Sequence, residues 1–193
     1  MFTGIIESVG TVEYLLNDNL KIKTEDSKFF KLESGTSIAI DGCCLTLKNY
    51  EKDLLCFQVS DETLSRTSLN DSHCGYVNME LPLTMNSLLS GHLVQGHVDG
   101  VINLKTIDKL DSELWNFTFS NASNKYLVDK GSITINGISL TVVEPFKDTF
   151  TVSIIEETFN RTNLKHLNVD DTVNVEYDIV IKYLEKLNYD NWY

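Results

Sequence analysis

Apolar residues along the chain fall in short runs, alternating or continuous, that recur every 8–12 positions. In the first half these runs cover 10–15, 19–23, 37–40, 44–48, 54–60 and 77–81. Turn-forming residues stand between them, as in "LNDN", "DG" and "YEKD". A period of two is that of a half-buried strand, and Gly, Asn and Asp supply the reversals. The pattern predicts an all-β chain. Strands this short and evenly spaced suit small closed barrels, which leave no exposed sheet edge. A short amphipathic turn precedes the third strand in "SKFFKLESG" and again in "SNKYLVDKG". The period changes only near the C-terminus. There Val180, Tyr183, Leu184 and Leu187 fall at i, i+3, i+4 and i+7 and predict a helix of about ten residues with one apolar stripe. Two partners are open to that stripe, a sibling subunit or the chain's own barrel.

The pattern also repeats. Residues 36–69 align with 131–164 at a constant offset of 95, without a gap, giving 13 identities in 34 positions. Shared landmarks are Ser37/Ser132, Gly42/Gly137, Leu45-Thr46/Leu140-Thr141, Glu62-Thr63/Glu157-Thr158 and Arg66-Thr67/Arg161-Thr162. With small shifts the similarity extends from "GIIESVGTV" (4–12) to "GHVDGVINL" (96–104) and from "VNMEL" (77–81) to "VNVEY" (173–177). Two halves of roughly ninety residues, products of a duplication, meet near "PLTMNSLLSG".

Composition narrows the class of function. The 193 residues are 42% hydrophobic and 10% aromatic, enough for a core rather than disorder. A net charge of −12 argues against nucleic acid or an anionic membrane as partner. No apolar run approaches the ~20 residues that span a bilayer, and "MFTGIIESVG" lacks the basic start of a signal peptide. Cys43, Cys44, Cys56 and Cys74 form no CxxC pair, and adjacent Cys43 and Cys44 would point to opposite faces of a strand. That usage fits reduced cytosolic thiols and gives the sequons at Asn116, Asn121 and Asn160 little meaning.

Candidate chemistry concentrates in a few segments. "GHLVQGH" carries His92 and His97, but a spacing of five places them on opposite faces of a strand and does not suggest a shared metal. His97, between Gly96 and Gly100, is either a proton carrier or a structural hydrogen-bond donor. No GxGxxG or phosphate loop occurs. The matched segments "IAIDGCCLTLK" (38–48) and "ITINGISLTVV" (133–143) put Cys44 with Thr46, and Ser139 with Thr141, on one strand face. Those small polar groups suit either the edge of a heteroaromatic ligand or a narrow part of the barrel. Asp178 follows "VNVEY" where the first copy has Pro82, so only the second half offers both a carboxylate there and a hydroxyl at 139. It could polarise Ser139 or cap the C-terminal helix.

Taken together, "MFTGIIE", the doubled GxxLT segments, "GHLVQGHVDG", the two ETxxRTxL segments and "VNVEYD" resemble the riboflavin synthase family across nearly the whole chain. The resemblance implies two similar six-stranded antiparallel barrels: a lumazine-binding barrel in 1–88, a second in 89–178, and an oligomerisation helix in 179–193 that assembles a homotrimer. It implies a cytoplasmic enzyme that needs no external cofactor or metal. Association with lumazine synthase stays open. Carried over onto this sequence, the first cradle comprises Phe2, Gly4, Ile5, Ile6, Ser37, Cys44, Leu45, Thr46 and the segment Gln58, Val59, Ser60, Asp61, Glu62, Thr63. The second comprises Gly96, His97, Val98, Lys130, Ser139, Leu140, Thr141 and the segment Ser153, Ile154, Ile155, Glu156, Glu157, Thr158.

The implied reaction consumes two molecules of 6,7-dimethyl-8-ribityllumazine. A four-carbon unit passes between them, yielding riboflavin and 5-amino-6-(D-ribitylamino)uracil. Two matched seats are what a reaction between two copies of one molecule requires. Ser139 with Asp178 is expected to activate a nucleophile or relay a proton, assisted by His97 and Thr141. Cys44 either adds to its lumazine or hydrogen-bonds it, and Phe2 completes the catalytic set. The competing expectation is a non-catalytic lumazine or flavin antenna of the same fold.

Overall fold

Alternation along the chain builds two closed six-stranded antiparallel barrels, one per repeat. The computed structural model describes residues 1–71, 75–111, 113–120 and 123–190, so Cys74 and the Asn121 sequon lie outside the described residues. The first barrel consists of β1 (Ser8–Leu16), β2 (Asn19–Lys23), β3 (Ser37–Ile40), β4 (Cys43–Glu51), β5 (Leu54–Gln58) and β6 (Tyr76–Glu80), closed in the order β1-β2-β5-β4-β3-β6. The second consists of β7 (Gly100–Lys109), β8 (Leu114–Ser120), β9 (Ser132–Ile135), β10 (Ile138–Val143), β11 (Thr149–Ile155) and β12 (Thr172–Tyr177) in the equivalent cyclic order.

Strand period decides which face each residue takes. Along β4, Cys43, Leu45 and Leu47 are buried while Cys44, Thr46 and Lys48 face outward, so the adjacent cysteines do point opposite ways. Along β10, Ile138, Leu140 and Val142 are buried while Ser139 and Thr141 face outward. Each interior is filled mainly by large apolar side chains, among them Leu20, Ile22 and Phe57 in the first barrel and Phe117, Phe119 and Phe150 in the second. The amphipathic segments before β3 and β9 form the 3-10 turns Phe29–Lys31 and Asn124–Tyr126.

Two short helices depart from the strand pattern, α1 (Asp61–Arg66) and α2 (Glu156–Arg161). They occupy the ETxxRT segments, which are too short to show helical periodicity. Each carries one i,i+4 ion pair, Arg66–Glu62 at 3.3 Å and Arg161–Glu157 at 2.8 Å. The terminal helix α3 (Ile179–Asp190) is present where the stripe predicts it. It is fastened by Lys182 Nζ to Asp99 Oδ2 at 2.5 Å and by Lys125 Nζ to Glu185 at 3.8 Å. Its Val180, Tyr183, Leu184 and Leu187 remain more than half exposed. Among the described residues no helix is long and apolar enough to cross a membrane.

The barrels meet at the two hairpin turns of the repeat. Asp41-Gly42 and Asn136-Gly137 adopt positive φ at both positions (44° and 75°; 43° and 79°), the requirement of a type I′ hairpin. A Cβ on Gly42 would lie 2.7 Å from the Gly137 amide nitrogen, so the turns stack backbone to backbone. Reciprocal bonds surround them. Asn78 Nδ2 donates to the Asn136 carbonyl (2.9 Å), and Asn174 Nδ2 to the Asp41 carbonyl (2.9 Å). Asn163 N donates to Asn78 Oδ1 and Ser68 N to Asn174 Oδ1, each at 2.7 Å. This is the contact pattern of a two-fold axis drawn within one chain.

Candidate functional site

Neither cradle is completed by its own half of the chain. Two arms, residues 2–6 and 91–98, run antiparallel to each other between the barrels. Phe2 N donates to the Val94 carbonyl (2.8 Å), Val94 N to the Phe2 carbonyl (3.1 Å), and His92 N to the Thr3 carbonyl (3.2 Å). The first arm then delivers Gly4 to the second barrel, where its carbonyl accepts from Ser139 N at 2.8 Å. The second arm delivers Gly96 to the first barrel, where its carbonyl accepts from Cys44 N, also at 2.8 Å. Ile6 accordingly joins the apolar core of the second barrel, and Val98 packs on that of the first. Burying a side chain such as Ile6 contributes ~1.5–3 kcal/mol, so the exchange of arms is part of folding.

This crossing corrects the carried-over grouping. Gly4, Ile5 and Ile6 belong with Ser139 rather than Cys44, and Gly96, His97 and Val98 belong with Cys44 rather than Ser139. Phe2 stays with the first cradle, fully buried against Ala39, Val94 and Cys44. The first cradle is a pair of open depressions on the outside of the barrel. One, of about 480 Å³, is bordered by Asp18, Thr46, Lys48, Gln58, Val59 and Ser60. The other, of about 220 Å³, is bordered by Cys44, Glu62, Thr63, Arg66, His97 and Val98 among others. Ser60 caps α1 by accepting from Thr63 N at 3.2 Å, which fixes the 58–63 segment beside β4. Ser37 pairs with Thr46 across the sheet, Leu45 points into the core, and Asp61 is exposed at the start of α1. A further cavity of about 520 Å³ meets this region at Lys48 but is lined by none of the candidate binding or catalytic residues.

In the second cradle Ser139 and Thr141 face outward on β10, and Leu140 and Ile154 are core. Ser153 faces outward and donates to Asn116 Oδ1 (2.6 Å), while Ile155 is exposed ahead of Glu156, Glu157 and Thr158 in α2. Lys130 adopts φ +63° and its amide donates to the Val142 carbonyl at 2.9 Å.

The chemistry at Ser139 differs from the expectation. Its Oγ lies 2.7 Å from His92 Nδ1, and His92 Nε2 lies 3.2 Å from the Thr134 hydroxyl. With the ring proton on Nε2, directed at Thr134, Nδ1 is free to accept from Ser139. Burial pushes the His92 pKa below its ordinary value, opposed by the charge of Asp178. A neutral imidazole on a hydroxyl is the arrangement of a general base and the group it activates. His97, the histidine that the sequence favoured as Ser139's helper, stands in the other cradle. Asp178 caps α3, accepting from Val180 N at 2.9 Å, and reaches the site electrostatically through His92. Among the described residues no hydrogen bond joins it to Ser139. The legible hint of His92 was the doubled Gly-His of "GHLVQGH". Gly91 precedes it because a Cβ there would fall 2.1 Å from the Thr3 carbonyl and 2.9 Å from Ser139 Cβ.

Cys43, Cys44 and Cys56 are free thiols. Burial drives the Cys43 pKa up to about 12, which leaves Cys44, outward and beside His97, as the thiol of the first cradle.

Two outward cradles on duplicated barrels define the class. The lumazine binding domain model matches residues 3–82 and 95–178, and the chain belongs to that family. Within it the chain groups with the riboflavin synthases. It is 37% identical over 191 residues to riboflavin synthase of Actinobacillus pleuropneumoniae, covering 96% of this chain and 89% of the relative. It is 36% identical to that of Bacillus subtilis (95% and 88%) and 37% identical to that of Chlamydia pneumoniae (94% and 92%). The fold is also that of LumP complexed with 6,7-dimethyl-8-(1'-D-ribityl) lumazine, with a TM-score of 0.80 and 25% identity over 91% of this chain and 98% of that one.

Proposed function

We propose that the chain is a riboflavin synthase, converting two molecules of 6,7-dimethyl-8-ribityllumazine into riboflavin and 5-amino-6-(D-ribitylamino)uracil. The observation that carries this reading is the pairing of two equivalent cradles with unequal chemistry, Cys44 in one and the Ser139–His92 pair in the other. Orienting two reactants converts a bimolecular step into an effectively unimolecular one, which lowers a barrier by ~7–11 kcal/mol. Ser139 and neutral His92 then supply proton transfer, taking a proton from the lumazine methyl group or from a water as it adds to the ring, with Asp178 stabilising the imidazolium that forms. Phe2, Thr46, Thr141 and the 58–63 and 153–158 segments hold the rings and ribityl chains. The units 1–88, 89–178 and 179–193 serve as two lumazine seats and an assembly helix.

Self-association completes the proposal. The exposed stripe of α3 supports packing on sibling chains, with the productive pair of seats contributed by neighbours in a homotrimer. The free thiols fit a cytoplasmic protein, and association with lumazine synthase is testable by co-sedimentation. Incubation with dimethylribityllumazine alone is the decisive assay: the enzyme yields one riboflavin per two lumazines consumed. The likeness to LumP favours one alternative, an antenna protein, for which bound chromophore would persist without turnover.

A further inference from the structure

Each barrel ends in a glutamate buried at the last position but one of its "VNxEx" segment, Glu80 at 4% exposure and Glu176 at 3%. Among the described residues neither forms an ion pair; their bonds come from backbone amides and, at Glu80, from the Thr3 hydroxyl as well. Glu80 Oε1 accepts from Thr3 N and Thr3 Oγ1, each at 2.7 Å, and Oε2 from Gly4 N at 3.0 Å. Glu176 Oε1 accepts from Gln95 N at 2.7 Å, and Oε2 from both Gly96 N and His97 N at 2.9 Å. A carboxylate taken out of water at this cost is retained only where its hydrogen bonds fix something. What these fix is the arms.

The wiring is crossed. Glu80 belongs to the first barrel, yet the arm it grips presents Gly4 to Ser139 in the second. Glu176 belongs to the second barrel, yet its arm presents Gly96 and His97 to Cys44 in the first. We infer that Glu80 and Glu176 are positioning residues that act across the barrel boundary, each setting the geometry of the cradle on the other barrel. The assignment rests on the reading of Cys44 and Ser139 as cradle residues. Burial raises the pKa of both carboxyls and the amide bonds oppose it, helped at Glu176 by the nearby charge of Lys182.

Glu176→Gln and Glu80→Gln test it, because an amide can accept on one atom only and turns N–H toward N–H on the other. The probe is alkylation of Cys44 by iodoacetamide, located by mass spectrometry on the full chain, read beside kcat, KM and the melting temperature. E176Q is expected to speed Cys44 alkylation several-fold and E80Q far less, since Phe2 alone links the arm that Glu80 grips to Cys44; both lower kcat, by up to ~100-fold if the arms shift by an ångström. A merely structural role predicts the opposite pattern, each variant loosening its own barrel. If E176Q does not fold, Glu176→Asp keeps the charge and withdraws it by one methylene, and the same Cys44 readout applies. Cys44 reactivity unaltered in the folded Glu176 variant, or raised equally by E80Q, overturns the inference. Failure of the wild type to make riboflavin overturns the functional reading instead, and leaves the alkylation result standing.

Discussion

Ser139 and His92 lie 2.7 Å apart, Oγ to Nδ1, across 47 residues of sequence, joined because Gly91 lets its arm lie against β10. Removing either partner from a general-base pair costs ~10²–10⁴ in rate. Ser139→Ala and His92→Gln are therefore each expected to lower kcat by about that range while changing KM much less. Steady-state kinetics with dimethylribityllumazine read the split, and equal losses in kcat and binding would reduce Ser139 to a binding residue.

The same pair sets a pH dependence. The pKa of His92 is lowered in the folded chain by burial. Its neutral form is thus favoured by folding, and that contribution is present above the ordinary histidine value near 6.5 and is lost as pH falls through the lowered one. The acid limb of kcat is expected below pH 6.5, and His92→Gln should abolish it. A limb that persists in H92Q would assign the titration to another group.

Gly96 and Gly4 are the points where arm meets cradle. A Cβ at Gly96 would fall 2.6 Å from Cys44 Cβ, and one at Gly4 2.6 Å from Ser139 Cβ, with φ of +81° and +76°. Alanine at either position combines a clash with a left-handed backbone, a cost of roughly 1–3 kcal/mol. Both variants are expected to melt earlier and to bind lumazine more weakly, measured by thermal denaturation and by quenching of ligand fluorescence.

Asp41 sits wholly buried at the turn contact, accepting from Asn78 N (2.7 Å) and Asn163 Nδ2 (3.0 Å). Burial drives its pKa up to about 8, against 3.8 for the free side chain. A raised folded pKa means stability that is fully present below the unfolded value and is lost as pH rises through the folded one. Between pH 6 and 9 the protein is expected to become easier to unfold. Asp41→Asn should flatten that slope, since Asn136 already fills the equivalent place and accepts from Asn174 N at 2.8 Å. Urea midpoints at the two pH values decide it.

The stripe of α3 gives a fifth handle. Val180→Asp with Leu184→Asp places charge on a face more than half exposed in the single chain, so folding should survive. Sedimentation is expected to show smaller assemblies, and turnover should fall if neighbours share a site. An unchanged sedimentation coefficient would assign assembly to another surface.

What could be read in the sequence was local. Alternation located the strands of the first half to within a few residues, and the Asp-Gly and Asn-Gly turns marked both β3–β4 and β9–β10. The offset of 95 matched Cys44 with Ser139, which the two Gly carbonyl contacts reproduce in space. What escaped was long range. Nothing in residues 2–6 or 91–98 indicates that they cross, because the glycines that permit crossing look like ordinary turn glycines. The pairing of His92 with Ser139 is hidden for the same reason: its partner is brought to it by an arm, not by spacing. The helices α1 and α2 were hidden by their length of six residues.

The crossed arms carry a consequence for how such a chain can be divided. A first half cut free before residue 91 would keep its six strands but present Cys44 without its lid, and its own arm would have no β10 to close. Two such halves could satisfy each other by trading arms, since Gly4 and Gly96 make equivalent contacts. The single-chain protein thus has the logic of a swapped dimer whose subunits were later fused. The fusion made each seat free to diverge, serine in one and cysteine in the other, while the arms kept them dependent on each other.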